Sequence, residues 1–181
     1  MRAIREAQPG DARSIADLHI RSWRDTYPGI LPAGYLSDTI VHERRDYWQQ
    51  AFKDQQPGEF VLLMPGKPQP LGFISVLRNR EPGYDGLIDN LHVLPGQTGQ
   101  GLGRQLLGAA AERLVETGAG SVCLWVFDAN RPTVRFYERL GGLADEHGID
   151  EFAGARAPHS RLGWTDLDCL IRRCRTAKQE K

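Results

Sequence analysis

A glycine-rich loop at residues 98–104 is the feature that most constrains this chain. It follows a strand-like apolar run at 91–94 and opens directly onto a helical pattern. Gly99, Gly101 and Gly103 leave backbone amides uncovered by side chains, and the first helical turn adds unpaired N–H groups and the positive end of its dipole. The loop therefore predicts a site for a pyrophosphate, and so for a nucleotide or a nucleotide-tailed cofactor.

The loop lacks the residues that mark two common nucleotide sites. No Lys-Ser or Lys-Thr pair follows the glycines, so the lysine that a P-loop places on the terminal phosphates is missing. The loop also reads Gly-x-Gly-x-Gly in mid-chain, whereas a dinucleotide fingerprint is Gly-x-Gly-x-x-Gly early in a βαβ unit. Both ATP hydrolysis and a redox cofactor are therefore disfavoured.

A second motif follows the glycine-loop helix. The run 121–127 has the pattern of a buried strand, and Asp128-Ala-Asn-Arg-Pro132 is a turn sequence. It leads into a short helical pattern at 133–140, which Gly141-Gly142 ends. Two loop-to-helix transitions thus follow two neighbouring strands.

Together the motifs resemble the GNAT superfamily of acyl-CoA-dependent N-acetyltransferases, and the resemblance covers residues 2–145. In that family a loop of the form Gln/Arg-x-x-Gly-x-Gly/Ala holds the CoA pyrophosphate. A later Asn-x-x-x-x-x-Phe-Tyr-x-x-x-Gly run holds the pantetheine arm and supplies a tyrosine. The residues that fit this second run are Asn130, Phe136, Tyr137, Leu140 and Gly141.

The resemblance implies a fold and a co-substrate. The fold is α/β (α+β), a mixed, mostly antiparallel sheet of six to seven strands flanked by helices, with two central parallel strands that splay apart as a V. Acetyl-CoA is expected in that V. The implied cofactor-binding residues are Leu91, His92, Val93, Thr98, Gly99, Gln100, Gly101, Gly103, Arg104, Asn130 and Tyr137.

The loop departs from the family pattern at one position. Thr98 stands where the family usually has Gln or Arg, so one long polar side chain is missing from the phosphate site. The backbone amides remain, and Gln97 or Arg104 is expected to supply a compensating contact.

The chemistry of acyl transfer assigns further roles. An exposed backbone N–H near 91–93 is expected to stabilise the oxyanion, and Tyr137 is the candidate acid for the leaving thiolate. Asp89 is the first candidate for the base that deprotonates the amine, with Asp85 and His92 as alternatives. A regular strand places 85, 89, 91 and 93 on one face, and a bulge shifts that phase.

The acceptor pocket has weaker signals. Trp23 and Tyr27 lie four residues apart on the first helix, which borders the acceptor in this family. Packing in the core explains the pair equally well. The acceptor walls are expected from 28–40 and 143–160.

Composition limits the partners. The 23 basic and 23 acidic residues give a net charge of +0, which predicts no binding to nucleic acid or to a membrane surface. The three cysteines have neither disulfide nor zinc spacing, so we expect a cytoplasmic protein without a metal. At 181 residues the chain suits one domain, expected at 1–170, with a solvated tail at 171–181. A homodimer is an expectation from the family.

Hydrophobic periodicity predicts the order of the elements. They are a strand at 3–7, a helix between Asp11 and Pro28, a helix at 42–54, hairpin strands at 59–64 and 71–77, a strand at 86–94, a helix from 102 that Gly118 closes, a strand at 121–127, a helix at 133–140, and a last strand at 161–167. The stretch 143–157 has few apolar anchors and no assigned element.

Three functional alternatives stay open at this stage. The leading one is acetylation of a small amine, such as an amino acid or its analogue, a polyamine or an amine-bearing drug. The second is acetylation of a protein N-terminus or lysine. The third class is a protein without turnover, either an acyl-CoA sensor or a regulator that binds ATP or NAD.

Overall fold

The computed structural model describes residues 3–152 and 154–176. A short 3₁₀ turn at Pro9–Asp11 precedes the first helix, and a π-helical turn at Tyr35–Thr39 precedes the second. In chain order the elements are β1 (Arg5–Glu6), α1 (Ala12–Thr26), α2 (Ile40–Asp54), β2 (Phe60–Met64), β3 (Gly72–Arg78), β4 (Gly86–Val93), α3 (Leu102–Glu116), β5 (Val122–Phe127), α4 (Arg131–Arg139), β6 (Leu143–Phe152), β7 (Ala155–Trp164) and α5 (Leu167–Thr176).

The strands form one seven-stranded sheet in the order β1-β2-β3-β4-β5-β7-β6. Strands β4 and β5 are parallel, and every other neighbouring pair is antiparallel. The helix α3 connects the two parallel strands, as a crossover connection requires. The predicted fold, a mixed and mostly antiparallel sheet with a central parallel pair, is confirmed.

Helices cover both faces of the sheet. On one face α3, α4 and α5 pack on the sheet, with Leu106, Leu107 and Leu170 fully buried. On the other face α1 and α2 form a smaller core around Trp48 and Phe73, which are also fully buried. Because successive side chains of a strand point to opposite faces, β3 contributes to both cores.

The first two thirds of the chain follow the predicted order of elements, with ends that differ by a few residues. The first strand is shorter than predicted, because β1 contains only two of the five residues expected at 3–7. Its Ala7 nevertheless still donates a backbone hydrogen bond to Val61 at 2.8 Å. The edge position of β1 explains why pairing there is so brief.

The prediction is partly wrong for the segment after Gly142. The last strand does pair into the sheet, but it begins at Ala155 and ends at Trp164. The unassigned stretch forms β6, so that β6 and β7, each ten residues long, make a long hairpin. β6 lies at the sheet edge and is mostly exposed, with Leu143 at 74% and Ile149 at 50% exposure. An exposed edge strand needs no alternating apolar face, so its sequence carries little strand signal.

The expected solvated tail is also corrected. Residues 167–176 form α5, whose first turn Asp166 caps by accepting a hydrogen bond from the Cys169 N–H at 2.8 Å. Ile171 and Cys174 are buried, and Cys174 packs closely against Gly108 of α3. The helix packs on the core as far as Cys174, and 177–181 lie outside the described residues.

This packing makes α5 a test of the corrected domain boundary. We expect Ile171→Ala to lower the free energy of unfolding by about 2–4 kcal/mol, because it opens a cavity against α3. The neighbouring Arg172→Ala, on the exposed face of the same helix, should change it by less than about 0.5 kcal/mol. Denaturant unfolding of both variants measures the difference, and equal small effects would mean that the tail is solvated after all.

Candidate functional site

The two central parallel strands separate near the middle of β4. Pairing between β4 and β5 covers Gly86 to Ile88 on β4 and stops there. At the same level β4 has a β-bulge, because Ser75 of β3 pairs with Asn90 while Val76 pairs with Ile88, so Asp89 is the extra residue. A bulge bends its strand and increases the local twist. The V-shaped gap expected between the parallel strands therefore begins at Asp89.

The bulge also determines which amides face the gap. The Leu94 N–H donates to Leu71 at 2.8 Å, toward β3. Because backbone amides alternate along a strand, the N–H groups of Leu91 and Val93 point the opposite way, into the gap beside β5. These two residues were predicted from sequence as the source of the oxyanion donor.

The glycine loop follows at the wide end of the gap. Gly99 and Gly101 both adopt φ of +75°, which favours glycine, and a Cβ on Gly99 would meet open space. Gly101 is the N-cap of α3 and provides no side-chain cap, so the amides at the start of α3 remain available. The exposed Thr98 and Gln100 lie on the same loop. We call this loop, residues 98–104, the glycine cradle, because its geometry is suited to hold an anion.

Arg104 supplies the cation that Thr98 does not. Its Nη1 is buried and has no hydrogen-bond partner among the described residues. Its guanidinium reaches back over the loop, since a Cβ added to Gly101 would lie 3.1 Å from Arg104 Nη2. Gln97, the other expected substitute, accepts a long 3.4 Å hydrogen bond from Gln100 instead. An orphaned guanidinium beside a glycine cradle fits a pyrophosphate.

The second motif lies across the gap on β5 and α4. Asn130 is buried and is the N-cap residue of α4, but its side chain caps no helical amide. It is hydrogen-bonded to the Tyr27 hydroxyl, and burial raises the pKa of Tyr27 to about 12. Two residues predicted independently, one for the cofactor and one for the acceptor, thus contact each other.

Tyr137 is buried on α4, where its ring packs against Phe136 and Trp164 with centroids 5.1 and 6.0 Å away. No other described residue makes a hydrogen bond with its hydroxyl. Burial, and then the nearby Tyr27, raise the pKa of Tyr137 well above its ordinary value. The side chain therefore packs the core and also keeps a protonated hydroxyl near Tyr27.

Asp89 lies on the bulge with its side chain toward α2. It accepts hydrogen bonds from the Tyr47 hydroxyl and from the Asn90 side-chain amide. Desolvation by the surrounding protein raises the pKa of Asp89, although the Tyr47 hydrogen bond and the Arg44 charge oppose that rise. A carboxylate with a raised pKa at the mouth of the gap is suited to accept a proton.

The structure gives the two alternative bases other surroundings. Asp85 precedes β4 at the paired end of the parallel strands and accepts hydrogen bonds from the Gly120 and Ser121 N–H groups at 2.8 and 3.1 Å, which lower its pKa. It anchors the start of β5. His92 points toward α1, where its Nδ1 lies 3.0 Å from Ser22 Oγ, and burial lowers its pKa to about 3.

Trp23 and Tyr27 lie together at the mouth of the gap. Their rings meet edge to face with centroids 5.2 Å apart, and Tyr27 also contacts Phe127 at the end of β5 at 5.4 Å. Both are half-buried beside a small apolar cluster. That cluster joins residues from α1, from the connection to α2, from the start of α2 and from β7, namely Ile20, Leu31, Tyr35, Leu36, Ile40 and Ala157.

Four residues of this region were not predicted from sequence. Arg44 lies over the rings of Trp23 and Tyr47, with its guanidinium carbon 5.2 and 5.1 Å from their centroids. The others are Tyr35, Tyr47 and Phe127. Tyr47 appeared in the sequence only as part of the apolar side of α2, and nothing local marked Arg44. Their proximity to β4 and β5 depends on how helices and sheet pack.

No helix within the residues that the structure describes is both long and apolar enough to span a bilayer. Within 3–152 and 154–176, no group of three or more His, Cys, Asp or Glu side chains is arranged to hold a metal ion.

The chain matches the model of a known family and is similar to a relative along nearly its whole length. The model of the acetyltransferase (GNAT) family matches residues 15–142. An uncharacterized N-acetyltransferase of Bacillus subtilis, YuaI, is 35% identical over 172 residues, which cover 94% of this chain and 96% of the relative.

Solved structures have the same fold at low sequence identity. The PaiA N-acetyltransferase of Thermoplasma acidophilum, in complex with coenzyme A, has a TM-score of 0.68 at 20% identity, over 87% of this chain and 96% of that one. YncA of Salmonella typhimurium, a putative acetyltransferase with acetyl-CoA, has a TM-score of 0.67 at 19% identity, over 92% and 94% of the two chains.

The cradle predicts a selective effect of one added methyl group. Gly101→Ala should weaken coenzyme A binding about tenfold, because the new Cβ displaces the Arg104 guanidinium. Gly118→Ala is the matched control, since Gly118 has nearly the same φ of +78° at the other end of α3 and open space around it. Both variants should lose about 1–2 kcal/mol of stability. Calorimetric titration separates them, and equal affinities would contradict the assignment of the cradle.

Proposed function

Because the chain belongs to the GNAT family of acyl-CoA-dependent N-acetyltransferases, we propose that it acetylates the primary amine of a small molecule from acetyl-CoA. The acceptor classes we consider are an amino acid or its analogue, a polyamine and an amine-bearing drug. The family membership supports the donor and the reaction. The acceptor is argued from the surroundings of the gap.

One observation carries the preference for a small acceptor. The connection between α1 and α2 folds over the mouth of the gap, and its Leu31, Tyr35 and Leu36 are buried in one cluster with Ala157 of β7. An extended peptide would have to pass between this connection and the β6–β7 hairpin. Since the two are in apolar contact there, a compact amine fits the space better than a polypeptide.

Acetyl-CoA, when bound, supplies a thioester whose carbonyl carbon is attacked by the amine nitrogen, so that the N–C bond forms and the C–S bond breaks. The glycine cradle and Arg104 hold the pyrophosphate, and Asn130 borders the pantetheine arm. The N–H groups of Leu91 and Val93 are directed into the gap and stabilise the developing oxyanion. A fixed donor of this kind typically contributes about 10²-fold or more in rate.

Two side chains move the protons. Asp89 takes a proton from the incoming ammonium group, which is the charged form of the amine at neutral pH. Tyr137 donates its hydroxyl proton to the departing thiolate, and the resulting phenolate takes the second proton that the amine nitrogen loses as the amide forms. The raised pKa of Tyr137 keeps that hydroxyl protonated throughout the physiological range. His92 is unsuited to the first role, because a pKa of about 3 makes it a weak base.

The absence of disulfide bonds among the three cysteines supports a cytoplasmic setting. Cys123, Cys169 and Cys174 are all free thiols, and two of them are buried. We propose that the protein works in that compartment.

A mixed panel of acceptors tests the proposal. Wild-type protein with acetyl-CoA should release free CoA, detected with a thiol reagent, when small amines are added. Release only with peptides or proteins would favour a protein acceptor. Tight binding of acetyl-CoA with no release from any amine would favour a sensor. Thermal stabilisation by ATP or NAD in preference to CoA would favour a nucleotide-binding regulator.

The acid role predicts a loss of turnover in Tyr137→Phe. We expect kcat to fall about 10²-fold while the affinity for acetyl-CoA changes little, because only the proton donor is removed. Tyr84→Phe is the control. Tyr84 lies before the start of β4, at the end remote from the gap, and its hydroxyl donates a hydrogen bond of 2.6 Å to Asp145. Steady-state kinetics with a saturating amine measure both variants, and an unchanged kcat in Tyr137→Phe would exclude the role.

The base role predicts a pH dependence. Because the pKa of Asp89 is raised, kcat should fall as the pH drops through a value above that of an ordinary aspartate, where the carboxylate becomes protonated. Asp89→Asn should lower kcat about 10²-fold or more and abolish this acidic limb. Asp85→Asn should keep the limb. Persistence of the limb in Asp89→Asn would assign the base to another group.

A further inference from the structure

We infer that Arg44 is the binding site for a carboxylate on the acceptor, and that the substrate is an amino acid or a close amino-carboxylate analogue. This inference rests on the proposed function and narrows its substrate class. It is carried by the position of the Arg44 guanidinium, which Tyr47 links to Asp89, and by the absence of a carboxylate hydrogen-bonded to it among the described residues.

The first step concerns where Arg44 lies. It is on α2, and its guanidinium is held over the faces of Trp23 and Tyr47 at 5.2 and 5.1 Å. Tyr47 donates its hydroxyl hydrogen bond to Asp89. One tyrosine ring therefore links the cation to the carboxylate at the start of the gap. A positive and a negative group therefore both contact Tyr47 at the edge of the gap.

The second step concerns what neutralises Arg44. Its nearest carboxylate oxygen in the described chain is Glu43 Oε2 at 3.8 Å, which is too far for a hydrogen bond. Glu43 is itself engaged by the Tyr35 hydroxyl at 2.5 Å. The Arg44 Nε is buried and has no hydrogen-bond partner among the described residues. A buried guanidinium N–H without an acceptor is costly, and a carboxylate entering the pocket would satisfy it.

Arg161 provides a contrast within the same protein. It also lies over two aromatic rings, those of Tyr84 and Trp125. Unlike Arg44, it is surrounded by the carboxylates of Asp145, Glu81 and Glu146 at 2.9, 3.3 and 2.8 Å. Arg161 is thus an arginine whose charge is neutralised by carboxylates of the same chain. Arg44 has the same aromatic setting but an unfilled place for an anion.

The third step concerns the class of ligand. Asp89 meets the ammonium group, and Arg44 meets a negative charge on the same molecule. A polyamine carries only positive charges and would leave Arg44 repelled and unpaired. A planar carboxylate matches the guanidinium in charge and geometry. An amino acid carries both groups at short separation, and its side chain would lie against the rings of Trp23 and Tyr35.

The test compares amino acids with their carboxamides, which differ only in the negative charge. Wild-type protein should have a higher kcat/KM for the acids. In Arg44→Gln the ratio of acid to amide should fall about 10- to 100-fold, mainly through KM. Dividing the acid-to-amide ratio of the variant by that of the wild type cancels any intrinsic difference in nucleophilicity between the two amines. Arg44→Lys should recover only part of the preference, since lysine lacks the fork.

Arg45→Gln is the matched control, because Arg45 is the next residue on α2 and pairs with Asp17 at 3.1 Å on the exposed side. It should behave as wild type. Efficient acetylation of amides or polyamines in preference to acids would overturn the inference and leave the proposed function intact. Equal losses for acid and amide in Arg44→Gln would make Arg44 structural and also overturn it. If no amine led to release of CoA, both the inference about Arg44 and the proposed function would be wrong.

Discussion

The separation of β4 from β5 at the Asp89 bulge is the constraint on which the rest of the site depends. Parallel pairing ends at Ile88, and the bulge changes the phase of the strand at that level. The change keeps Ile88 and Leu91 against the same core, three residues apart, while Asp89 faces α2. A single extra residue therefore opens the gap, directs two amides into it and places a carboxylate at its edge.

The proposed site has two parts, one for the acetyl donor and one for the acceptor, and they lie on either side of the bulge. The proposed donor site depends on local backbone geometry, since the glycine cradle, the start of α3 and Arg104 all lie within a few residues of one another. The proposed acceptor site depends on packing between distant segments, because Arg44, Asp89 and Tyr35 come from α2, β4 and the connection before α2. Tyr27 links the two parts through its hydrogen bond to Asn130.

This division explains what the sequence could predict. Glycine spacing and strand-to-helix transitions are local, so the cradle, its position and the parallel pair were predictable, and the fold was confirmed. The β6–β7 hairpin was missed because its edge strand is exposed and lacks alternation. The helix α5 was missed because a short amphipathic stretch rich in arginine resembles a solvated tail until the surface of α3 is known. Arg44 was missed because the role proposed for it depends on residues that only the packing of α1, α2 and β4 brings next to it, and no local sequence pattern marks it.

Three arginines of the described chain have a buried guanidinium nitrogen without a hydrogen-bond partner, and two of them, Arg44 and Arg104, belong to these two parts. Arg104 Nη1 and Arg44 Nε are both buried without hydrogen-bond partners in the described chain. Each lies beside a feature suited to an anion, the glycine cradle for Arg104 and the aromatic pair for Arg44. Folding alone gains little from burying an unpaired guanidinium, so such positions are explained best by a ligand that completes them. Between these two anchors lie the amides of β4, Asp89 and Tyr137, where a thioester and an amine would meet.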